Sequence, residues 1–171
     1  MRRVDMRGTV LLNVLIALAV LGILLSAALP AAFTLYARAA VEYEAMHLIG
    51  ELRRIQAISR TTAMPLYMLE GRLSWERAPR LNIRADGYTL HRPFGEDVRS
   101  YTLLPLVRFK QDTATETPVI FDRNGNIADG SHNMTIRVYA AGHEEAALRV
   151  VIDRAARIRL HRGEDNAVDE G

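Results

Sequence analysis

From Thr9 to Tyr36 no side chain carries a charge, and within Thr9–Phe33 only Thr9, Asn13 and Ser26 are polar. About 20 apolar helical residues cross the ~30 Å hydrocarbon core of a bilayer. This run has the length and composition of a single membrane-crossing helix. Arg2, Arg3 and Arg7 precede it, against Asp5 alone. Basic flanks stay on the cytoplasmic side. The expected topology is therefore a single-pass inner (cytoplasmic) membrane protein with its N-terminus inside and the rest of the chain extracytoplasmic.

Three fates for this run compete. A cleaved secretory signal has an apolar core of roughly 7–15 residues followed by small residues. Ser26–Ala32 offers the small residues, but the run is too long. An uncleaved signal-anchor explains length and charge. A third reading also explains Gly8, immediately before the run, and Pro30 inside it. Proline removes one helical hydrogen bond, which membrane helices tolerate where neighbours compensate.

A basic leader, Gly8, an apolar helix and an internal Pro30 together resemble the type IV pilin and pseudopilin superfamily. The resemblance implies that a prepilin peptidase cuts between Gly8 and Thr9 and methylates the new N-terminus. It implies a leader over residues 1–8, a transmembrane and assembly half of a helix over 9–33, and a soluble pilin-like domain over 34–163. The family usually begins its mature chain with Phe and has Glu at the fifth mature position. Here those positions hold Thr9 and Asn13. In the family that carboxylate is thought to pair with the N-terminal amine of an adjacent subunit, whereas an asparagine hydrogen-bonds without charge. Asn13 and Pro30 are accordingly the candidate assembly residues, and other pilin subunits the implied partners.

Beyond the apolar run, Val41, Ala45, Leu48, Leu52, Ile55 and Ile58 recur at helical spacing,. Glu42, Glu44, Glu51, Arg53, Arg54 and Arg60 fall mostly off that stripe. The pattern predicts one helix from Val10 to about Ala63, ended by Pro65. Short strand signals follow: Leu66–Leu69, Leu81–Ile83, Tyr88–Leu90 after the Asp86-Gly87 turn, Val119–Phe121 before Asp122–Asn126, and Thr135–Tyr139. Tyr101–Phe109 is broken by Pro105 and reads as one edge strand. Leu148–Ile152 and Arg157–Leu160 read as a closing hairpin around Asp153–Ala156. The expected fold class is α+β, a long helix packed on a small antiparallel sheet. Residues 164–171 carry four acids and no apolar run, and read as a disordered acidic tail.

The order PVIFDRNGNI, TIRVYA, LRVVIDRAARIRL is similar to minor pseudopilins of the GspH/FimT type, found in type II secretion and in type IV pilus or competence systems. That family usually has Gly before the terminal Arg. Ala156 stands there instead, so a different final turn is expected.

No catalytic constellation emerges, and the chain reads as a non-enzyme without cofactor or metal. Cysteine is absent, which excludes thiol chemistry and Cys-ligated metals. His143-Glu144 opens like HExxH, but Ala147 takes the place of the second ligand. Asp122-x-Asn124-x-Asn126 echoes a calcium loop, with Ile127 where Gly and Asn133 where Glu are required. One charged cluster stands out. Arg149, Arg154, Arg157, Arg159 and Arg162 meet only Asp153 between residues 149 and 162. Such a stripe suits nucleic-acid phosphates, and some FimT-like relatives carry a DNA-uptake role on a basic C-terminal region. Charged edge strands also simply block aggregation. The expectation is thus a structural minor pseudopilin supporting protein secretion. The alternatives are a DNA-uptake pseudopilin binding DNA through those arginines, and a signal-anchored extracytoplasmic domain that never assembles.

Overall fold

The computed structural model describes residues 6–62, 78–92, 98–112, 117–128 and 133–163, with side chains from residue 9 onward. The strand expected at Leu66–Leu69, most of the leader and the acidic tail lie outside the described residues. The first element, α1, is a helix over Met6–Thr61 with Pro30 inside it. The chain divides into two compact units, Met1–Arg38 and Ala39–Gly171.

Among the described residues, the apolar side chains of the helix in the first unit are uncovered. Val10, Leu15, Ile23, Leu29 and Phe33 are each about half exposed or more. Pro30 has no N–H to donate, and side-chain bonds to backbone occur in the turns on either side of it. Ser26 Oγ donates to the Ile23 carbonyl at 2.7 Å and Thr34 Oγ1 to the Pro30 carbonyl at 2.9 Å. Ser and Thr hydroxyls commonly bond back to the preceding turn in this way. An apolar helix so long and so exposed is stable only in lipid or against other apolar helices.

The second unit holds the rest of α1 and two four-stranded antiparallel sheets. The first has the order β3-β2-β1-β5, with β1 Arg80–Arg84, β2 Gly87–His91, β3 Val98–Thr102 and β5 Val119–Ile120. The second has the order β4-β6-β7-β8, with β4 Val107–Gln111, β6 Met134–Ala140, β7 His143–Ile152 and β8 Ile158–His161. Two expectations change here. The single small sheet becomes two. The one strand expected over Tyr101–Phe109 becomes β3 and β4, which belong to different sheets. Pro105 does not interrupt a strand: it sits in the turn through which the chain leaves one sheet for the other, and Val107 N–H closes that turn on the Leu104 carbonyl at 2.9 Å.

The core lies between helix and sheets. Val41, Ala45, Leu48, Leu52 and Ile55 are buried as the spacing predicts, joined by Ala40 and Ile49. They pack with Leu81, Ile83, Leu90, Phe109, Val119, Ile136, Val138, Val150 and Ile152 from both sheets. Burying one such Leu or Ile is worth about 1.5–3 kcal/mol, so the fully buried Leu48, Leu52 and Ile55 are the main apolar attachment of the helix. Ile58, expected on the stripe, is only half-buried, and Ser59 takes its place inside.

Polar bonds fix the helix at two levels. Near its end, Gln56 Nε2 donates to the Gly125 carbonyl at 2.8 Å and to the Ala156 carbonyl at 3.0 Å. One amide thus ties together the turns after β5 and after β7. Arg60 Nε reaches the Asn124 carbonyl at 3.3 Å and lies over Gly125, whose φ of 82° suits glycine,. Higher up, Glu44 is fully buried, contrary to its expected place off the stripe. Its Oε1 accepts from the Leu104 N–H at 3.0 Å and from the Tyr101 hydroxyl at 3.3 Å. The reason for its burial is a backbone need: the segment between the sheets has a free N–H at Leu104, and a buried donor must be paired.

The final turn passes through a left-handed residue that is not glycine. Ala156 has φ 54° and is buried. Asp153 stabilises this strained point: Ala156 N–H donates to its carbonyl at 2.8 Å, and Arg157 N–H to its Oδ1 at 2.9 Å.

Candidate assembly helix and basic face

Gly8 and Thr9 lie within the helix, so the Gly8–Thr9 bond is helical in the uncut chain. Asn13 is exposed, one turn along from Thr9. Pro30 is exposed also. All four belong to the first unit, and Thr9, Asn13 and Pro30 are exposed on α1.

The five arginines do not act as one group. Arg157 precedes β8 instead of alternating within it, and its Nε is 2.6 Å from Asp153 Oδ2. Burial works to raise the Asp153 pKa. The hydrogen bonds from the Arg157 backbone and guanidinium outweigh it and hold the carboxyl below its ordinary value. Arg162 pairs with Glu42 of α1. Arg154 is exposed, and its backbone N–H donates to Asn133 Oδ1 at 3.2 Å. Arg149 and Arg159 alternate with the buried Val150, Ile152 and Ile158, so they project from the outer face of the second sheet,. Neither makes an ion pair among the described residues.

Register extends this basic face beyond the sequence cluster. Lys110 of β4 is opposite Arg137 of β6, Arg137 is opposite Arg149 of β7, and Arg149 is opposite His161 of β8. Three cations and an imidazole thus form a row across all four strands. Like charges placed directly opposite each other repel, and two local acids relieve part of the row. Arg137 Nε is 2.8 Å from Asp112 Oδ1, and Lys110 Nζ is 3.7 Å from Glu144 Oε2. Lys110 and Arg137 were not among the sequence candidates. Their signal was the alternation within Val107–Gln111 and Met134–Ala140, but pairing partners are not written in alternation.

The histidines do not converge. His143 Nδ1 is 3.3 Å from Glu145 Oε1, while Glu144 serves Lys110. His91 contacts Asn82 at 3.3 Å, and its pKa is lowered by burial and then by the Arg80 charge. His47 lies between the rings of Tyr43 and Tyr101, at centroid distances of 6.0 and 4.4 Å. Burial, then the Glu44 charge and hydrogen bond, push the Tyr101 phenol up to about 12. Burial, then Glu51, push Tyr88 up as well. The contacts of His47, Tyr88 and Tyr101 belong to the helix–sheet interface.

A long N-terminal helix packed on antiparallel sheets is the pilin fold. Two crystal structures of the type IV minor pilin FimU of Pseudomonas aeruginosa share it. One superposes with a TM-score of 0.51 over 70% of this chain and 91% of that one, the other with 0.53 over 72% and 90%. Sequence identity is 16% in both. No protein-family sequence profile matches the chain. No curated protein matches it by sequence.

Proposed function

We propose that this chain is a minor pilin-like subunit of a type IV pilus or type II secretion pseudopilus, made as a single-pass inner-membrane precursor. One observation carries the reading. A single helix, Met6–Thr61, is apolar and uncovered in its first unit and is built into the α+β core in its second. That is the division of labour a filament subunit needs: one half for lipid and then for other helices, the other to hold a folded domain. Prepilin peptidase acts at Gly8–Thr9, on the cytoplasmic side where the leader arginines hold the N-terminus. The absence of a carboxylate at Asn13 fits a subunit at the filament tip better than one repeated along its length. Asn13 bonds a neighbour without demanding the charge pair that sets register.

Co-expression with a prepilin peptidase tests this. The expected product begins at Thr9 with a methylated amine, and Gly8→Lys leaves the chain uncut. An intact chain in every sample would instead support the signal-anchored domain, and a start near Ala31 a secreted one.

A second reading, DNA uptake, is favoured by the outer face of the second sheet, where Arg149 and Arg159 have no acidic partner among the described residues. The paired Arg157 and Arg162 are removed from that role. The variant R149Q/R159Q is expected to weaken binding of a 20-base-pair duplex by about tenfold and to reduce the salt slope by about two. Unchanged binding on a nitrocellulose filter would end this reading.

A further inference from the structure

The two sheets meet along a short seam. Phe109 N–H of β4 donates to the carbonyl of Ala85, just past β1, at 3.0 Å. Backbone groups along an antiparallel strand point alternately to its two sides, so pairing on one side fixes what is left on the other. Leu103 N–H bonds to the Asp86 carbonyl, so Tyr88 and Leu90 of β2 face β3, while Gly87 and Thr89 face β1. Their partners Arg84 and Asn82 therefore face β2, and Leu81 and Ile83 face the other way. Leu81 is paired with Val119 of β5, and Ile83 lies beyond the end of that two-residue strand. In β4, Ala141 N–H bonds to the Leu106 carbonyl and Asp112 N–H to the Thr135 carbonyl. Arg108 and Lys110 thus turn their backbone to β6, and Phe109 and Gln111 turn theirs to β1. The Gln111 side chain lies on the inner side with Val107 and Phe109, and its Nε2 donates to the Thr117 carbonyl at 3.1 Å.

An antiparallel seam that continued past Ala85–Phe109 would next join Ile83 to Gln111. No backbone bond joins them among the described residues. An open cleft of about 280 Å³ lies at this point, lined by Ile83, Arg84 and Ala85 on one side and by Lys110, Gln111 and Tyr139 on the other. Ile83 and Phe109 are buried, and buried backbone groups are nearly always paired. Arg84 and Lys110 make the rim cationic. Lys110 Nζ is 3.7 Å from Glu144 Oε2, and Arg84 makes no ion pair among the described residues.

We propose that this cleft receives the C-terminal end of an extended peptide from another protein. The Ala85–Phe109 bond closes the seam at one end, so a strand cannot run through and a chain end enters instead. From Ile83 to Ala85 is room for about two extended residues, at ~3.3–3.6 Å each. The entering backbone replaces the missing pairing at Ile83 and Gln111, as in strand addition to an open sheet edge. Its carboxylate meets Arg84 and Lys110, which repel an amino terminus. Tyr139 offers its ring to the last side chain. This site does not depend on whether the chain enters a filament.

The full-length chain in detergent micelles is immobilised and equilibrated with two pools of hexapeptides randomised at their last four positions. One pool ends in a free carboxylate, the other in an amide. Retained peptides are sequenced by mass spectrometry. The carboxylate pool is expected to converge on shared apolar choices at its last two positions, and the amide pool on none. Binding of a fluorescein-labelled peptide of the selected sequence is then read by anisotropy. Arg84→Glu should weaken it by about tenfold or more, the scale of losing and reversing a charge-assisted contact. N-methylation of the penultimate amide, which removes a ladder donor, should weaken it as well. Arg53→Glu, an equal charge change on the exposed side of α1, should leave it unchanged. No convergence in the carboxylate pool would overturn the proposal, as would binding that survives Arg84→Glu or amidation. Equal weakening by Arg53→Glu would overturn it too, since general charge attraction would then be the cause. Convergence on Asp-Glu-Gly, the last three residues of this chain, would overturn it by giving the cleft to a second copy.

Discussion

Replacing Glu44 by alanine is expected to lower the unfolding free energy by about 2–4 kcal/mol. The variant leaves the Leu104 N–H without its acceptor and frees the Tyr101 hydroxyl. Hydrogen bonds to a charged acceptor contribute about 1.5–3 kcal/mol each. Against this, Glu44 Oε2 is buried without a partner, so removing the carboxylate also relieves some desolvation. Glu44→Gln keeps an acceptor at Oε1 and should cost less than the alanine. Urea unfolding of the detergent-solubilised chain, followed by near-ultraviolet circular dichroism, reads both. A loss below about 1 kcal/mol in the alanine variant would mean that the segment between the sheets is held by packing alone. The same site sets an alkaline limit. The Tyr101 phenol is pushed from 10.0 to about 12 in the fold. Its contribution is fully present below the ordinary value and is lost as pH rises from 10 toward 12. Tyr101→Phe should make stability fall less steeply over that window, with the remaining slope carried by Tyr88.

Gly87→Ala is expected to destabilise the domain by about 3 kcal/mol or more, near the upper end for inserting one methyl into a packed core. A Cβ at Gly87 would stand 2.1 Å from the Tyr101 carbonyl oxygen and 3.3 Å from Thr102 Cα. Both obstacles are backbone, so no side-chain rotation relieves them. Gly87 has no left-handed φ, so the glycine is required by approach rather than by conformation. The clash falls where β2 and β3 pair, Gly87 against Thr102, next to the Leu103 N–H bond to the Asp86 carbonyl at 2.9 Å. Glu44 and Gly87 therefore both bear on the stretch from Tyr101 to Leu104. Thermal unfolding of the variant measures the effect, and a midpoint within 2–3 °C of the parent, under about 1 kcal/mol, would show that β3 can part from β2 without loss to the domain.

Periodicity was enough to read α1, most of its buried stripe, and the strands that alternate cleanly. It was not enough to assign strands to sheets. Alternation in Val107–Gln111 reveals which residues face inward, but the choice of Met134–Ala140 as partner is made by three-dimensional packing. Pro105 was read as a flaw in one strand because a proline that ends a strand and one that begins a crossover look alike. Glu44 was placed outside because a carboxylate is rarely buried, and the N–H that recruits it is sixty residues away. The proposed assembly candidates Gly8, Thr9, Asn13 and Pro30 rest on one local pattern of the sequence. The basic face was legible only in part, since two of its cations come from strands distant in sequence.

The strand order also says something about how the domain is built in time. β1–β2–β3 and β6–β7–β8 are meanders of neighbouring strands, joined in part by turns as short as Ala85-Asp86 and Ala141-Gly142. Short loops close at little entropic cost, so both halves can form early. The slower pairing is that of β5, two residues long, which must return to β1 after the chain has already passed through β4 in the other sheet. Non-local pairings of this kind slow folding. By that reasoning the pairing of β5 with β1, which joins strands separated by β2, β3 and β4 in the chain, is expected to be the last of the sheet contacts to form,.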